Sequence, residues 1–253
     1  MEGLALVTGA GRGIGRAIAF ALAEANIPVV LVARSNEEIT DIRNEIISNG
    51  GSAWACPCDI TKVDEVNGLV TDIAAEVGAV NILVNNAGVA PSAKLEDTTD
   101  EMWRETFGVN VDGPFYLMRA LLPQMKVSGG QVISIASTAA LQGFRYTAAY
   151  TASKHALLGL MRALTEEMKN TPIVFSTICP GFTRTNILEE SILATMARGK
   201  SREEAEAIFA AMNREGHIIE TEEIAQTVMN LISSSNATSG QAYHADGTPI
   251  SGV

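Results

Sequence analysis

Basic residues are scarce in this chain, and their scarcity excludes two kinds of partner. The 253 residues contain 18 Lys and Arg against 29 Asp and Glu, which gives a formal net charge of -11. A protein that binds nucleic acid or docks electrostatically on an anionic membrane needs a basic surface. The composition therefore predicts neither a nucleic-acid partner nor a membrane partner, unless a basic surface is local.

Long apolar runs and paired cysteines are also lacking. No run approaches the roughly 20 apolar residues of a membrane span. The opening MEGLALV leads straight into a strand-like run, with neither the charged segment nor the cleavage site of a signal peptide. The three cysteines, Cys56, Cys58 and Cys179, form no C-x-x-C pair and no cluster with histidine, which predicts reduced, packed thiols and no metal site. We therefore expect a cytoplasmic protein.

What the chain does contain is an alternation of short Val- and Ile-rich runs with longer stretches of helical period. This pattern of repeated βαβ units predicts an α/β fold, with a parallel sheet covered by helices on both faces. With 47% hydrophobic residues and no internal linker, we expect one domain over residues 1–253. The predicted strands lie at 4–7, 28–32, 52–56, 81–85, 130–136, 173–179 and 240–245. The predicted helices lie at 13–25, 36–49, 61–77, 100–124, 148–169 and 221–233.

The stretch TGAGRGIGR follows the first predicted strand and opens the first predicted helix. In this position Gly9 permits a tight turn, Gly13 lets the backbone approach a pyrophosphate, and Gly15 allows close packing of helix on strand. The N–H groups at the start of the helix can then bind anionic oxygens. Taken alone, the same glycines would also suit an ordinary turn between a strand and a helix.

Four further stretches, together with the glycine turn, resemble the short-chain dehydrogenase/reductase family in order and spacing. They are CDI at 58–60, NNAG at 85–88, YTASK at 150–154 and PGFTRT at 180–185. The resemblance runs from about residue 3 to residue 247, nearly the whole chain. It implies a Rossmann-like, doubly wound sheet of seven parallel strands around a nicotinamide cofactor.

Tyr150 and Lys154 stand four residues apart in a predicted helix, so their side chains share one face. A nearby ammonium favours the phenolate. We therefore expect Lys154, with the oxidised nicotinamide ring, to lower the Tyr150 pKa from about 10 toward neutrality. Tyr150 is then the group that moves the proton between alcohol and ketone. The resemblance also implies that Lys154 bonds the nicotinamide ribose.

Two other side chains complete the expected catalytic set. Ser137 ends the fifth predicted strand, 13 residues before Tyr150, and the resemblance implies that it hydrogen-bonds the substrate oxygen. Asn110 matches the family's helix asparagine, which holds a water that connects Lys154 to solvent; a cap or a local kink is the alternative. Ser134, on the same strand as Ser137, is expected to be a buried hydroxyl bonded to backbone.

The resemblance implies the remaining cofactor contacts. Asp59 accepts from the adenine amino group and Ile60 packs on the ring, although a place near a helix start is the alternative for Asp59. The backbone from Asn86 to Gly88 runs close to the cofactor, while Asn85 and Asn86 brace neighbouring strands. The threonines of the PGFTRT stretch bond the nicotinamide carboxamide or a phosphate. The other expected cofactor-binding residues are Gly9, Arg12, Gly13, Ile14, Gly15, Arg34, Ala87, Tyr150, Lys154, Pro180, Gly181, Thr183 and Thr185.

The second predicted strand ends in VVLVARS, at the place where NAD-preferring members carry an acid for the ribose 2′-hydroxyl. Ala33 takes that position and Arg34 follows it, so a 2′-phosphate meets a guanidinium and no carboxylate. Arg12 matches a second basic position of NADP users. Two arginines on one phosphate predict NADP(H) over NAD(H), the alternative being that each arginine is merely solvated.

Two longer stretches bear on the substrate. STAALQGFRYTAAYTASKHALLGL and SREEAEAIFAAMNREGHI resemble bacterial 3-oxoacyl-thioester reductases and hydroxyacyl-CoA dehydrogenases. They imply reduction of a 3-oxoacyl thioester, carried by acyl carrier protein or coenzyme A, in fatty acid metabolism. A reductase of another ketone, sugar or polyol stays open, and so does a non-catalytic NADP-binding sensor. The family also implies a homotetramer, with 148–169 and the C-terminal strand region in subunit contacts.

Residues 185–215 insert two amphipathic helix-like segments where one short connection is typical, which predicts a lid over the nicotinamide and an acyl chain. Ser201 and Glu204 are spaced as a capping box. The expected apolar faces comprise Ile187, Ile192, Leu193 and Met196, then Ala205, Ile208, Phe209 and Met212. Between them, Arg198, Lys200 and Arg202 could dock the phosphates of coenzyme A or an acidic acyl carrier protein, and a solvated basic turn is the alternative.

Overall fold

A computed structural model describes residues 3–234 and 238–251 of the chain. In that part of the chain the strands are β1 (Leu4–Thr8), β2 (Val29–Ala33), β3 (Ala53–Pro57), β4 (Val80–Asn85), β5 (Gly130–Ile135), β6 (Ile173–Ile178) and β7 (Gln241–Tyr243). They form one parallel sheet of seven strands in the order β3-β2-β1-β4-β5-β6-β7. The predicted fold class is confirmed.

The helices of the same residues are α1 (Gly13–Glu24), α2 (Asn36–Ser48), α3 (Val63–Glu76), α4 (Asp100–Phe107), α5 (Gly113–Ser128), α6 (Ala148–Glu167), α7 (Asn186–Met196), α8 (Arg202–Met212) and α9 (Thr221–Ser233). The apolar faces of α1, α2 and α9 cover one face of the sheet, and those of α3, α5 and α6 cover the other. Because both faces are covered, strands such as β1 are buried at every residue and read as continuous apolar runs. In the described residues, none of these helices has the length and apolar character to cross a membrane.

The sheet order changes direction between β1 and β4, and this places the site. In open α/β sheets, ligands bind beyond the carboxyl ends of the strands at such a reversal. The glycine turn follows β1, the NNAG stretch follows β4, and Ser137 follows β5. Three of the motifs that lie far apart in the sequence therefore meet at one edge of the sheet.

The predicted continuous helix at 100–124 is wrong, because α4 and α5 are separated by a π-helical turn, Gly108–Asp112. Pro114 has no N–H to donate to the Asn110 carbonyl, which an α-helix would require. In the wider turn Gly113 N bonds to Gly108 O, five residues back, and Asn110 is completely buried. Apolar periodicity on either side of the turn hides this irregularity from sequence inspection.

Two other predicted elements are shorter in the structure. The helix expected at 61–77 begins at Val63, because the Asp59 carboxylate accepts hydrogen bonds from Thr61 and holds the preceding residues in a turn. The strand expected at 240–245 ends at Tyr243, because His244 N bonds back to Thr248 O and closes a turn. The three cysteines are free thiols, buried at 58 and 179 and half-buried at 56.

Candidate active site

The glycine turn forms a cradle at the start of α1. Gly9 and Gly13 have φ angles of 63° and 53°, in the left-handed region that favours glycine. A Cβ atom on Gly15 would collide with the Gly9 carbonyl oxygen, so only glycine fits there. Arg12 caps the helix, and because its side chain has no acceptor, it cannot satisfy the first N–H groups. These donors, with no acid in the first turn, fit the pyrophosphate of a dinucleotide.

Thr8 ties this turn to the stretch after β4, a role that the sequence reasoning missed. Its hydroxyl oxygen accepts from the backbone N–H groups of Asn86 and Ala87, at 3.0 Å each. In return, Asn86 Nδ2 donates to Thr8 O at 2.8 Å and to Gly9 O at 3.3 Å. The signal that could have revealed this role is a threonine directly before the first glycine. Asn86 braces the neighbouring strands as predicted.

Asn85 and Ser134 form a second brace, between β4 and β5. Asn85 Nδ2 donates to Ser134 Oγ at 3.3 Å, and Ser134 Oγ lies 3.1 Å from the Met161 sulfur. The prediction that Ser134 bonds to backbone is therefore wrong, because both of its partners are side chains from neighbouring elements. Its buried position was predicted correctly.

The expected catalytic residues come together at the end of β5. Ser137 follows β5, and Tyr150 and Lys154 lie one turn apart on α6. The Ser137 hydroxyl lies close enough to Tyr150 to act on its pKa. Lys154 is only 4% exposed, and its Nζ donates to Ile135 O at 2.9 Å. Its Nζ also lies 5.7 Å from the centre of the Tyr150 ring.

In the protein alone, burial dominates the electrostatics of Tyr150 and Lys154. Burial raises the pKa of Tyr150 above its ordinary value, and the Ser137 hydroxyl offsets only part of this rise. Burial also lowers the pKa of Lys154 to about 8. The expected lowering of the Tyr150 pKa also depends on the oxidised nicotinamide ring, so it stays a prediction.

Asn110 is held on all sides in the π-helical turn. Its Oδ1 accepts from Val89 N, and its Nδ2 donates to Val89 O and to Ser153 Oγ, all at 2.9 Å. Ser153 in turn donates to the Tyr150 carbonyl at 2.8 Å. The kink that stood as the alternative is present, and both amide hydrogens are used. A relay water would have to use the second lone pair of Oδ1 or the main chain, so the relay role stays a prediction.

Gly88 brings the NNAG stretch close to these catalytic groups. A Cβ atom on Gly88 would lie 3.4 Å from Asn110 Oδ1 and 3.5 Å from Lys154 Nζ. The glycine therefore leaves space beside the two side chains. This space agrees with the expectation that the cofactor runs along Asn86 to Gly88.

The region expected to select the cofactor contains both arginines and one carboxylate that the prediction did not include. Arg34 and Arg12 are exposed, and Arg12 Nη1 lies 4.0 Å from Glu38 Oε1. Glu38 packs over Gly11, where a Cβ atom would lie 2.7 Å from Glu38 Oε2. The hydrogen bonds of Asp59 with Thr61 lower the pKa of its carboxyl group, and the positive charge of Arg34 lowers that pKa further. Selection of NADP by the two arginines stays a prediction.

The expected contacts of Asp59 with adenine and of the PGFTRT threonines with the cofactor also stay predictions. The structure gives the hydrogen bonds that these side chains form within the chain. Asp59 Oδ1 accepts from Thr61 N and Oγ1 at 3.0 and 2.8 Å, which is the helix-start role that stood as its alternative. Thr183 Oγ1 donates to Gly181 O, and Thr185 Oγ1 donates to Thr183 O. Thr185 lies against the glycine turn, since its Cγ2 is 3.3 Å from a Cβ placed on Gly13.

The insertion forms the two helices that were expected, α7 and α8, and the Ser201–Glu204 capping box is present. The expected apolar faces are partly wrong. Ile192, Ala205 and Leu188 are buried between the helices, with Met196 and Phe209 packed against them, and Leu188 was not among the predicted residues. The other members of the expected faces are half exposed: Ile187, Leu193, Ile208 and Met212. Each helix thus has one apolar side against its neighbour and a second on the surface.

The basic cluster between α7 and α8 is largely neutralised. Arg202 forms a two-pronged ion pair with Glu189, at 2.8 and 2.6 Å, and a further pair with Glu206. Lys200 pairs with Glu204 at 3.1 Å. Within residues 3–234 and 238–251, Arg198 is the member of the cluster without an ion pair closer than 4.0 Å. Ion pairs therefore occupy Lys200 and Arg202, and the choice between a docking patch and a solvated basic turn stays a prediction.

Comparison with known proteins assigns the chain to a family. The family described as short chain dehydrogenase matches residues 3–195, and the chain belongs to it. A 3beta-hydroxysteroid dehydrogenase of Mediterraneibacter gnavus is 35% identical, over 75% of this chain and 69% of its own length. A D-beta-hydroxybutyrate dehydrogenase of Rhizobium meliloti is also 35% identical, over 76% of each chain.

A solved structure is similar over almost the whole chain. A variant of actinorhodin polyketide ketoreductase with NADPH has a TM-score of 0.90 and 31% identity, covering 97% of both chains. Membership of the family makes the protein an oxidoreductase that acts on CH–OH groups with a nicotinamide cofactor. The three relatives act on a steroid, a hydroxybutyrate and a polyketide by name, so they leave the substrate open.

Proposed function

We propose that this protein is an NADPH-dependent reductase that interconverts a ketone and a secondary alcohol, with a 3-oxoacyl thioester as its preferred substrate. The observation that carries the reaction type is the meeting of the Ser137 and Tyr150 side chains at the end of β5, beside a buried Lys154. A pair of hydroxyl groups at one point can hold a carbonyl oxygen and protonate it.

The chemistry divides between the cofactor and the chain. When bound, the reduced nicotinamide supplies a hydride to the carbonyl carbon. Ser137 would hold the carbonyl oxygen, and the Tyr150 hydroxyl would give its proton to that oxygen as hydride addition turns the carbonyl group into an alkoxide, which leaves a phenolate on Tyr150. Lys154, one helical turn away, binds the ribose and stabilises the phenolate that remains. Because the Tyr150 pKa is raised, the tyrosine is protonated at neutral pH, as the reduction requires.

The NADPH preference rests on Arg12 and Arg34 at the end of β2 and the glycine turn. Their guanidinium groups suit a 2′-phosphate, and a ketoreductase similar over nearly the whole chain has been solved with NADPH. Glu38 weighs against this preference, since its carboxylate lies beside Arg12. Arg12 can turn from Glu38 to a phosphate, because its side chain is largely exposed.

The proposal of a thioester substrate is supported by the surface around the site. Half-exposed Leu193, Ile208 and Met212 on the lid offer apolar contacts to an acyl chain. A cavity of about 500 Å³ lies near the start of α6, lined by residues that include Leu95, Phe144 and Thr151. The D-beta-hydroxybutyrate dehydrogenase relative, by its name, acts on a 3-hydroxy acid.

A second candidate is a reductase of a larger or more polar ketone, which the hydroxysteroid dehydrogenase relative favours. A non-catalytic sensor is opposed by the complete set of Asn110, Ser137, Tyr150 and Lys154. The test is NADPH oxidation, followed at 340 nm, with acetoacetyl-CoA against a panel of plain ketones, steroid ketones and sugars. A kcat/KM at least tenfold higher for acetoacetyl-CoA supports the thioester. A steroid or sugar that exceeds it contradicts that choice, and no turnover with any substrate favours the sensor.

We also expect a homotetramer in the cytoplasm. Exposed Trp103 on α4 and Phe115 on α5 support subunit contacts near α6, because α4 packs directly on α6. Light scattering tests the assembly, and a monomer would contradict it.

A further inference from the structure

The residue that ends the lid, Asn213, is bonded to the loop after β6. It caps α8 and is only 7% exposed. Its Oδ1 accepts from Phe182 N at 2.7 Å, while its Nδ2 donates to Phe182 O at 2.8 Å and to His217 O at 2.7 Å. The amide pairs with the Phe182 backbone in both directions, as a neighbouring strand would. Such a buried, fully used amide is costly to replace.

Gly181 shows how closely the two segments are packed. A Cβ atom on this residue would collide with Asn213 Oδ1 and lie 3.0 Å from its Cγ. Gly181 does not have a φ angle in the left-handed region, so its backbone conformation does not require glycine. The glycine of the PGFTRT stretch is therefore needed for the space that Asn213 occupies. A motif expected to face the cofactor is shaped by the end of the lid.

Phe182 extends this contact in two directions. Its ring lies 4.9 Å from that of Phe209 on α8 and 6.1 Å from that of Phe144, centre to centre. Phe144 belongs to the loop between Ser137 and Tyr150. Phe182 O also accepts from Ile219 N at 3.1 Å, so its backbone is held from two sides. The lid helix, the loop after β6 and the loop before the catalytic tyrosine thus meet at one residue.

We infer that Asn213 is a positioning residue that holds the lid and the nicotinamide-facing loop, 180–183, as one unit. It touches neither the reacting atoms nor the catalytic side chains, and it acts through Phe182 and Thr183. The inference rests on the proposed placement of this loop at the nicotinamide. Loss of Asn213 should weaken the binding of only that half of the cofactor which the loop faces.

Calorimetric titration with two ligands separates this local effect from general damage. Oxidised NADP contains the nicotinamide, whereas adenosine 2′,5′-bisphosphate contains only the adenine half with its 2′-phosphate. We expect Asn213→Ala to raise the Kd of NADP about tenfold, the loss of one or two buried hydrogen bonds, and to leave the Kd of the fragment within twofold. Equal weakening of both ligands, or of neither, overturns the inference.

Asn213→Asp adds a signature that a general packing defect would not give. An ionised aspartate can accept from Phe182 N, but it faces the carbonyl oxygens of Phe182 and His217 without a proton to donate. Its protonated form restores one of these bonds. The Kd ratio of Asn213→Asp to wild type for NADP should therefore fall toward one between pH 8 and pH 5.5. A ratio that stays constant over this range contradicts the inference.

Two controls complete the experiment. His217, which bonds Glu223, titrates in every variant, so Asn213→Ala measured over the same pH range removes its contribution. Gln131→Ala removes another amide bonded to a backbone carbonyl, Ile232 O, at the opposite end of the sheet, and should change neither Kd. If the protein does not prefer NADP, then NAD and AMP replace the two ligands. The change in Kd for NAD against that for AMP then tests Asn213 independently of NADP preference.

Discussion

The edge of the sheet that carries Ser137, Tyr150 and Lys154 and the insertion formed by α7 and α8 are held by different forces. At the sheet edge, buried polar groups bond to backbone of other elements, as Lys154 does to Ile135 O and Asn110 does to Val89. Along α7 and α8 the insertion has a small apolar cluster and ion pairs whose side chains are 30–53% exposed, and a buried amide, Asn213, bonds to backbone where α8 ends.

This difference in stabilising forces separates the region expected to carry out the reaction from the region expected to bind the substrate. Buried bonds to backbone fix the catalytic groups in one geometry, because breaking any of them leaves a desolvated polar atom. Exposed ion pairs are each worth little and are weakened by salt. The region expected to hold the chemistry is therefore the more rigid one, and α7 and α8, which we propose cover the substrate, are the part that can open. Changes at the sheet edge should abolish turnover, whereas changes in the insertion should alter KM.

The largest effect is expected for Tyr150→Phe. This change removes only the hydroxyl that gives the proton, so kcat should fall by about 10²–10⁴-fold. The Kd of NADPH should stay within a few-fold of the wild type, as measured by the change in nicotinamide fluorescence on binding. Turnover above a tenth of the wild-type value would show that another group moves the proton.

A smaller effect is expected for Arg34→Ala, at the end of β2 where we propose that the cofactor is selected. A charge-assisted contact to phosphate is worth about 1.5–3 kcal/mol, so the KM for NADPH should rise at least tenfold. The KM for NADH should barely change, since NADH has no 2′-phosphate. Glu38→Gln is the matched change and should lower the KM for NADPH, because it removes a carboxylate near Arg12. Equal losses for both cofactors with Arg34→Ala would refute the phosphate contact.

How far the sequence predicts the structure also follows this division. The strands and the glycine turn were predictable, because apolar runs and the spacing of glycines determine them locally, whereas the meeting of Ser137 with Tyr150 was implied by the resemblance to the family. The π-helical turn was not predictable, since it depends on the missing N–H of Pro114 and on the contact of Asn110 with Val89. The pairing of Arg202 with Glu189 was equally hidden, because it joins residues of two helices whose relative position the sequence does not define.

Two substitutions test the role of the insertion. One changes Arg202, which forms ion pairs, and the other changes Arg198, which has no ion pair closer than 4.0 Å in the described residues. Arg202→Gln breaks the pairs with Glu189 and Glu206, and it should raise KM a few-fold for acetoacetyl-CoA and for a small ketone alike, because the lid loosens. Arg198→Glu should raise KM for the thioester alone, and less so at high salt, if this residue docks the coenzyme A phosphates. Steady-state kinetics at two salt concentrations measures both. If Arg198→Glu affects both substrates alike, the docking role is wrong.

The smallest effect is expected at the base of the insertion, where His217 Nε2 lies 3.1 Å from Glu223 Oε1. Glu223 raises the pKa of His217, so the folded state binds the proton more tightly than the unfolded chain does. The resulting stability is fully present below the ordinary histidine pKa of about 6.5, and it is lost as the pH rises through the higher value of the folded state. His217→Gln should therefore lower Tm by on the order of 1–2 °C at pH 5.5 and by nothing measurable at pH 9, because the pair is exposed. His155→Gln, on α6, is the matched control, since that ring contacts the Thr151 carbonyl and not a carboxylate. A His217→Gln difference that is the same at both pH values would mean that packing, and not the charged pair, holds the base of the insertion.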